Sequence, residues 1–143
     1  GCIVGSQAAT LGAAALVGLE DTDSASNTGI LVDNQGSPWL IGIIFLVVVG
    51  APLSEELLFR GIILRKLQGW FGGVFAIVVS SLLFALPHWQ PGATWQETAV
   101  LLPALAMVGL VLAIGAVVTD RLGPSVIAHF IFNAIGTILT LSF

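Results

Sequence analysis

Apolar residues run almost continuously along most of this chain, and only a few short polar stretches divide them. A helix needs about 20 residues to cross a bilayer, and by this measure the runs predict about five membrane segments. The first lies near residues 3–19, and a polar linker without apolar periodicity follows it. The remaining segments are predicted over residues 38–67, 71–86, 98–118 and 123–143. The pattern predicts an all-α, polytopic transmembrane helix bundle.

Two proline residues bear on the second predicted segment. Pro38 opens the second segment, and Pro52 is expected to interrupt or bend it. We find no internal repeat, and divide the chain into a first segment with its linker over 1–37 and one core over 38–143. Because the sequence begins without methionine or a charged leader, we expect an N-terminal truncation with upstream helices missing.

Composition supports a membrane protein. Hydrophobic residues make up 57% of the 143 residues, charged residues only 8%, and the mean hydropathy is +1.05, whereas a soluble domain has about 25% charged residues. The net charge of −4 comes mostly from acidic residues of the linker, so we expect a lipid bilayer and no nucleic acid as partner. A single cysteine excludes an internal disulfide and a cysteine-rich metal site.

Basic residues predict an orientation, because Lys and Arg accumulate on the cytoplasmic side. Arg65 and Lys66 end the second segment, and Arg121 lies between the fourth and fifth. We therefore predict cytoplasmic loops at 65–70 and 119–123, with the acidic linker on the opposite side.

The candidate chemistry lies inside the membrane segments. Ionisable groups at that depth cost at least about 3 kcal/mol and usually mark function. Here they fall into three fragments, PLSEELLFRG, FALPH and AHFIFN. Glu56 and Arg60 are one helical turn apart and are predicted to form a structural ion pair. Glu55 points about 100° away around the helix, which makes it the better general-base candidate.

The two histidines complete the set. His88 follows Pro87 at the end of the third segment, while His129 and Asn133 are one turn apart and project from the same face. Each has a simpler interpretation, an interfacial histidine for His88 and an interhelical hydrogen bond for the other two. Together with Glu55, however, they favour a reaction site.

These three fragments resemble a known signature. E-E-x-x-x-R at 55–60, F-x-x-x-H at 84–88 and H-x-x-x-N at 129–133, in this order on successive helices, are similar to the motifs of the CAAX-protease and bacteriocin-processing family of intramembrane proteases, related to the Rce1-type prenyl protease. The resemblance covers roughly residues 38–143. It implies a membrane peptidase acting on a peptide or protein, and we expect the plasma membrane of a prokaryote as its location.

The resemblance also implies roles for the residues. Glu55 with His88 would activate a water, and His129 with Asn133 would stabilise the oxyanion. Glu56 and Arg60 would hold the helix and orient the first glutamate. We expect no cofactor, with zinc bound by the two histidines and a glutamate as the alternative, since such a set is a plausible catalytic zinc site. The H-E-x-x-H helix of zinc peptidases is absent.

A second function class remains open at this point. Acid, His and Asn side chains inside helices also serve transporters, and a non-catalytic immunity-type membrane protein would share the same pattern. An acid–base pair with two oxyanion donors is complete for hydrolysis, which favours the peptidase. Counting depth from the predicted helix ends places His88 deeper than Glu55, so we expect the third segment to be tilted or to begin later.

Overall fold

The computed structural model describes residues 29–142, and every regular element among them is a helix. The predicted first membrane segment and the first half of the acidic linker, residues 20–28, lie outside this range. The short helix α1 spans Gly29–Val32. Four longer elements follow: α2 over Leu40–Phe71, α3 over Gly73–Ala85 with a 3₁₀ turn at Leu86–His88, α4 over Trp95–Thr119 and α5 over Gly123–Ser142. The predicted all-α membrane bundle is confirmed.

Three of these helices are long and apolar enough to cross a membrane. They are α2 with 32 residues, α4 with 25 and α5 with 20, whereas α3 with its turn is a shorter apolar helix. The four helices α2, α3, α4 and α5 correspond in order to the second, third, fourth and fifth predicted segments. The protein is an integral membrane protein.

Helix α2 changes its hydrogen-bond register on both sides of Pro52. Residues Leu46–Gly50 and Leu57–Leu64 are π-helical, and a short α-helical stretch over Ala51–Glu56 separates them. The predicted interruption is therefore a change of register, and α2 continues through the proline. Such π-helical segments are rare in proteins as a whole, but those that occur often lie at functional sites.

A single residue turns the chain from α2 into α3. Gly72 has a φ of +85°, a conformation that glycine adopts without the steric penalty of a Cβ. The prediction of a loop at 65–70 is wrong, because α2 remains helical through Phe71. The predicted depth of Glu55 is counted from Arg65, which lies six residues before the observed end of α2 at Phe71.

The observed end of α2 changes the count by which the depths of Glu55 and His88 are compared. Glu55 lies 17 residues before this turn and His88 lies 16 after it, so the two residues are nearly equally far from Gly72 along the chain. Helix α3 begins at Gly73, so the later start is wrong, while the tilt of α3 remains a prediction.

Two of the three apolar clusters in the described part of the chain hold α2, α3 and α4 together. One contains Phe59, Phe84, Ala85, Leu101 and Leu105, and the other contains Leu64, Ala76, Ala113 and Ala116. Both join α2, α3 and α4, while α5 packs against α2 and α4. At one end of the bundle Arg65 pairs with Asp120 in the turn between α4 and α5. This contact places the two basic regions at the same end, as predicted.

Candidate active site

A buried polar cluster lies where α2 meets α5. The side chains of Glu56 and His129 are fully buried, and Arg60 is 1% exposed. Asn133 is also fully buried, whereas the side chain of Glu55 is 16% exposed. Two helices that are distant in sequence therefore bring five of the six predicted site residues together.

Glu56 and Arg60 form the ion pair that their spacing predicts. Nη1 of Arg60 lies 3.1 Å from Oε1 of Glu56. The guanidinium group also donates from Nη2 to the carbonyl of Gly109 at 2.9 Å and stands over the Phe84 ring, 4.3 Å from its centroid. A buried charge needs such partners, because burying an ion without them costs several kcal/mol.

His129 contacts both glutamates. Its Nδ1 lies 3.0 Å from Oε1 of Glu56, and its Nε2 lies 3.8 Å from Oε2 of Glu55. Because an ionised carboxylate only accepts, the hydrogen of this bond is assigned to Nδ1. The 3.8 Å separation is longer than a hydrogen bond but within ion-pair distance, so the geometry gives His129 a hydrogen bond to Glu56 and an ion-pair contact with Glu55.

The bond between Glu56 and His129 was missed by the sequence analysis, which paired Glu56 with Arg60 alone. Nothing in the spacing of residues 73 positions apart reveals such a contact. It depends on the packing of α5 against the middle of α2. Glu56 is therefore a partner of a predicted catalytic residue as well as a support for the helix.

His88 is oriented by the end of α3. Pro87 has no N–H, and the chain tightens into a 3₁₀ turn over Leu86–His88. The Phe84 carbonyl, one α-helical turn before His88, is 3.0 Å from Nδ1 of the ring and accepts its hydrogen. The neutral ring then has its lone pair on Nε2.

One aromatic ring joins the two histidines. The Phe84 centroid lies 5.4 Å from that of His88 and 5.8 Å from that of His129. It remains a prediction that Glu55 and His88 both contact the same water molecule.

Asn133 bonds to the backbone of α2. Its Nδ2 donates to the carbonyl of Val47 at 2.9 Å. In the π register of this stretch, Ala51 donates to the carbonyl five residues earlier, at Leu46. The same register assigns the Val47 carbonyl to position 52, where proline has no N–H to donate. Asn133 supplies the donor that Pro52 lacks.

The remaining site questions concern the oxyanion and a metal. The side-chain amide nitrogen of Asn133 carries two hydrogens. It can therefore donate to the Val47 carbonyl and to an oxyanion at the same time. In the range 29–142, no group of three or more His, Cys, Asp or Glu side chains is arranged to hold a metal ion. That zinc takes no part in the reaction stays a prediction, tested by metal removal below.

Comparison with known families gives the assignment. The family described as type II CAAX prenyl endopeptidase Rce1-like matches residues 37–135, which is more than half of the chain and includes all six predicted site residues. The chain belongs to this family. Searches of curated proteins and of solved structures gave no match. The resemblance carried by the three motifs is thus confirmed, and the family is one of membrane proteases.

Proposed function

We propose that this Rce1-like protein is an intramembrane endopeptidase in which Glu55 and His88 activate a water without a metal ion. The observation that carries the proposal is the divided surroundings of the two adjacent glutamates. Glu56 is fully buried and bonded to Arg60 and His129, whereas Glu55 lies at the partly exposed edge of the cluster. A general base must reach the water from which it removes a proton.

His88 is suited to assist this step. Its Nδ1–H donates to the Phe84 carbonyl, so Nε2 is the nitrogen that accepts in the neutral ring. Phe84 and Pro87 therefore fix both the orientation and the tautomer of the imidazole. In the proposed reaction, Glu55 takes the proton of the water and His88 orients that water toward the scissile carbonyl.

His129 is the proposed oxyanion donor. In its cationic form both ring nitrogens donate, Nδ1 to Glu56 and Nε2 to the oxygen of the tetrahedral intermediate. The two carboxylates of the cluster would then be balanced by Arg60 and His129, which avoids a net charge at membrane depth. One such donor stabilises the transition state by about 3 kcal/mol.

Asn133, one turn beyond His129, is the second proposed donor to the oxyanion. Collapse of the intermediate then breaks the C–N bond, and the leaving amine takes the proton that Glu55 removed from the water. No covalent enzyme intermediate is required. The substrate is proposed to be a peptide or protein at the membrane, and the family description makes a prenylated C-terminal peptide the first candidate, beside bacteriocin-type peptides.

The test uses the full-length protein reconstituted in lipid vesicles. A library of membrane-associated peptides, with and without a prenyl group, is incubated with the wild type, Glu55→Gln and Ser54→Ala. New peptide termini are then identified by mass spectrometry. Ser54 is a matched control because it is the exposed neighbour of Glu55 and its hydroxyl donates only to the Ala51 carbonyl.

We expect cleavage by the wild type and by Ser54→Ala, and none by Glu55→Gln. Equal cleavage by wild type and Glu55→Gln would reject Glu55 as the base. If no variant cleaves any peptide, the non-catalytic transporter or immunity-type function becomes the better interpretation.

A further inference from the structure

Helix α4 contributes none of the predicted site residues, yet it approaches the site closely at one glycine. A Cβ at Gly109 would lie 3.1 Å from the Phe84 ring, 3.1 Å from the Ser81 carbonyl oxygen and 3.2 Å from the Ser81 Cα. Two of these atoms belong to the backbone of α3, which cannot move aside as a flexible side chain would. Small residues allow membrane helices to pack this closely.

The close crossing delivers a backbone acceptor to the site. The carbonyl of Gly109 accepts from Nη2 of Arg60 at 2.9 Å, while Nη1 lies 3.1 Å from Glu56 and the Phe84 ring covers the guanidinium face. The rigid, planar guanidinium group is thus held by a carboxylate, a carbonyl and an aromatic ring at once.

Arg60 and His129 contact the same oxygen atom of Glu56. Oε1 of Glu56 is the same atom that contacts Nη1 of Arg60 and Nδ1 of His129, at 3.1 and 3.0 Å. The partner of one ring nitrogen determines the proton position and the orientation of the imidazole. The chain of contacts therefore runs from Gly109 through Arg60 and Glu56 to His129.

We propose that Gly109 is a positioning residue for hydrolysis, because the close crossing of α3 and α4 at this glycine places the carbonyl that holds Arg60 and so fixes the bond between Glu56 and His129. This inference rests on the proposed function for its effect on turnover. Its structural part, the dependence of the His129 ring on Gly109, is independent of any reaction.

The experiment compares Gly109→Ala with Gly115→Ala in the full chain. Gly115 lies on the same helix, and a Cβ there would meet nothing within 4 Å, so it controls for helix propensity and for handling. The sequence has only two histidines. Labelling with ¹⁵N-histidine therefore gives separate signals for His129 and His88, and the same samples are assayed for kcat and KM.

We expect Gly109→Ala to shift the Nδ1 resonance of His129 and to lower kcat about tenfold or more at unchanged KM, with neither effect in Gly115→Ala. An unchanged His129 resonance in folded Gly109→Ala, or an equal shift in Gly115→Ala, would overturn the inference. If the wild type cleaves nothing, the proposed function fails, whereas the resonance comparison still decides the contact chain.

A second variant covers the case in which Gly109→Ala does not fold. Arg60→Lys retains the positive charge beside Glu56 and leaves the crossing of α3 and α4 intact. Its single nitrogen lacks the fork that contacts Glu56 and the Gly109 carbonyl together. We expect the same shift of the His129 resonance, and an unchanged resonance in Arg60→Lys would overturn the inference.

Discussion

Glu55 and Glu56 are adjacent in the sequence, but their carboxylates have different surroundings. Successive residues of a helix point about 100° apart, and here the difference separates a fully buried carboxylate from one at the edge of the cluster. This division could be predicted from the pattern E-E-x-x-x-R, since only Glu56 is one turn from Arg60. The bond from Glu56 to His129 could not, because it depends on the packing of two distant helices.

Arg60→Ala tests the buried ion pair. Removing the guanidinium leaves Glu56 without its cation inside the membrane, a change that costs about 3–5 kcal/mol for a buried pair. We expect a much lower yield of folded protein together with lost activity, measured by size-exclusion chromatography after expression in membranes.

Arg65→Ala is the matched control for this experiment. Arg65 is 41% exposed and pairs with Asp120 at the end of the bundle, where an ion pair contributes about 0–1 kcal/mol. A folded yield of Arg60→Ala equal to that of Arg65→Ala would show that the pair at Glu56 is not structural.

At the scale of the helix, Pro52 and Asn133 form one unit. Pro52 deprives the Val47 carbonyl of its donor in the π register, and the amide of Asn133 replaces it across the interface between α2 and α5. The sequence predicts that Pro52 disturbs the helix and that His129 and Asn133 share a face. It gives no means of predicting that the two features meet, because the compensating donor comes from a residue 81 positions later.

A double-mutant cycle separates this structural role of Asn133 from its proposed catalytic one. Asn133→Ala in the wild type leaves the Val47 carbonyl unsatisfied, which costs about 1–3 kcal/mol, and should lower Tm in detergent. In a Pro52→Ala background the restored N–H supplies the donor, so the same substitution should lower Tm much less.

Activity provides the second readout of this cycle. If Asn133 donates to the oxyanion, Asn133→Ala should lower kcat as strongly in the Pro52→Ala background as in the wild type. Recovery of both Tm and kcat in the double variant would leave Asn133 with a structural role only.

The ends of the helices show which local sequence signals predict helix boundaries. Helix α4 begins at Trp95, three residues before the predicted start, because Thr94 and Glu97 form a capping box. Helix α2 ends at Phe71 and not at 67, because only at Gly72 does the backbone take up a left-handed φ. Both signals are present in the sequence but are weaker than the apolar runs by which the segments were predicted.

At the scale of the whole molecule, the site depends on a hairpin and a third helix. The one-residue turn at Gly72 returns the chain from α2 into α3, which carries His88, and α5 packs against α2 and adds His129 and Asn133. The number and order of the four helices α2 to α5, three of them long enough to cross a membrane, could be predicted from the apolar runs. Their mutual depth could not, since it depends on where α2 ends.

Metal removal tests the proposed absence of zinc from the reaction. After exhaustive dialysis of the full-length protein against a chelator, we expect activity to be largely retained and the zinc content to be far below one ion per chain. A soluble zinc peptidase treated in parallel must lose its activity for the result to count. Loss of activity that added zinc restores would instead favour the metalloprotease alternative.

The most direct test of the account is the single-turnover rate of Glu55→Gln on a peptide that the wild type cleaves. Glutamine keeps the size and polarity of the side chain but cannot accept the proton of the water, so we predict that the rate falls at least about 10²–10⁴-fold. The Tm in detergent should stay close to that of the wild type, since Glu55 lies at the edge of the buried cluster. A folded Glu55→Gln protein that cleaves the peptide at a near-normal rate would contradict the account.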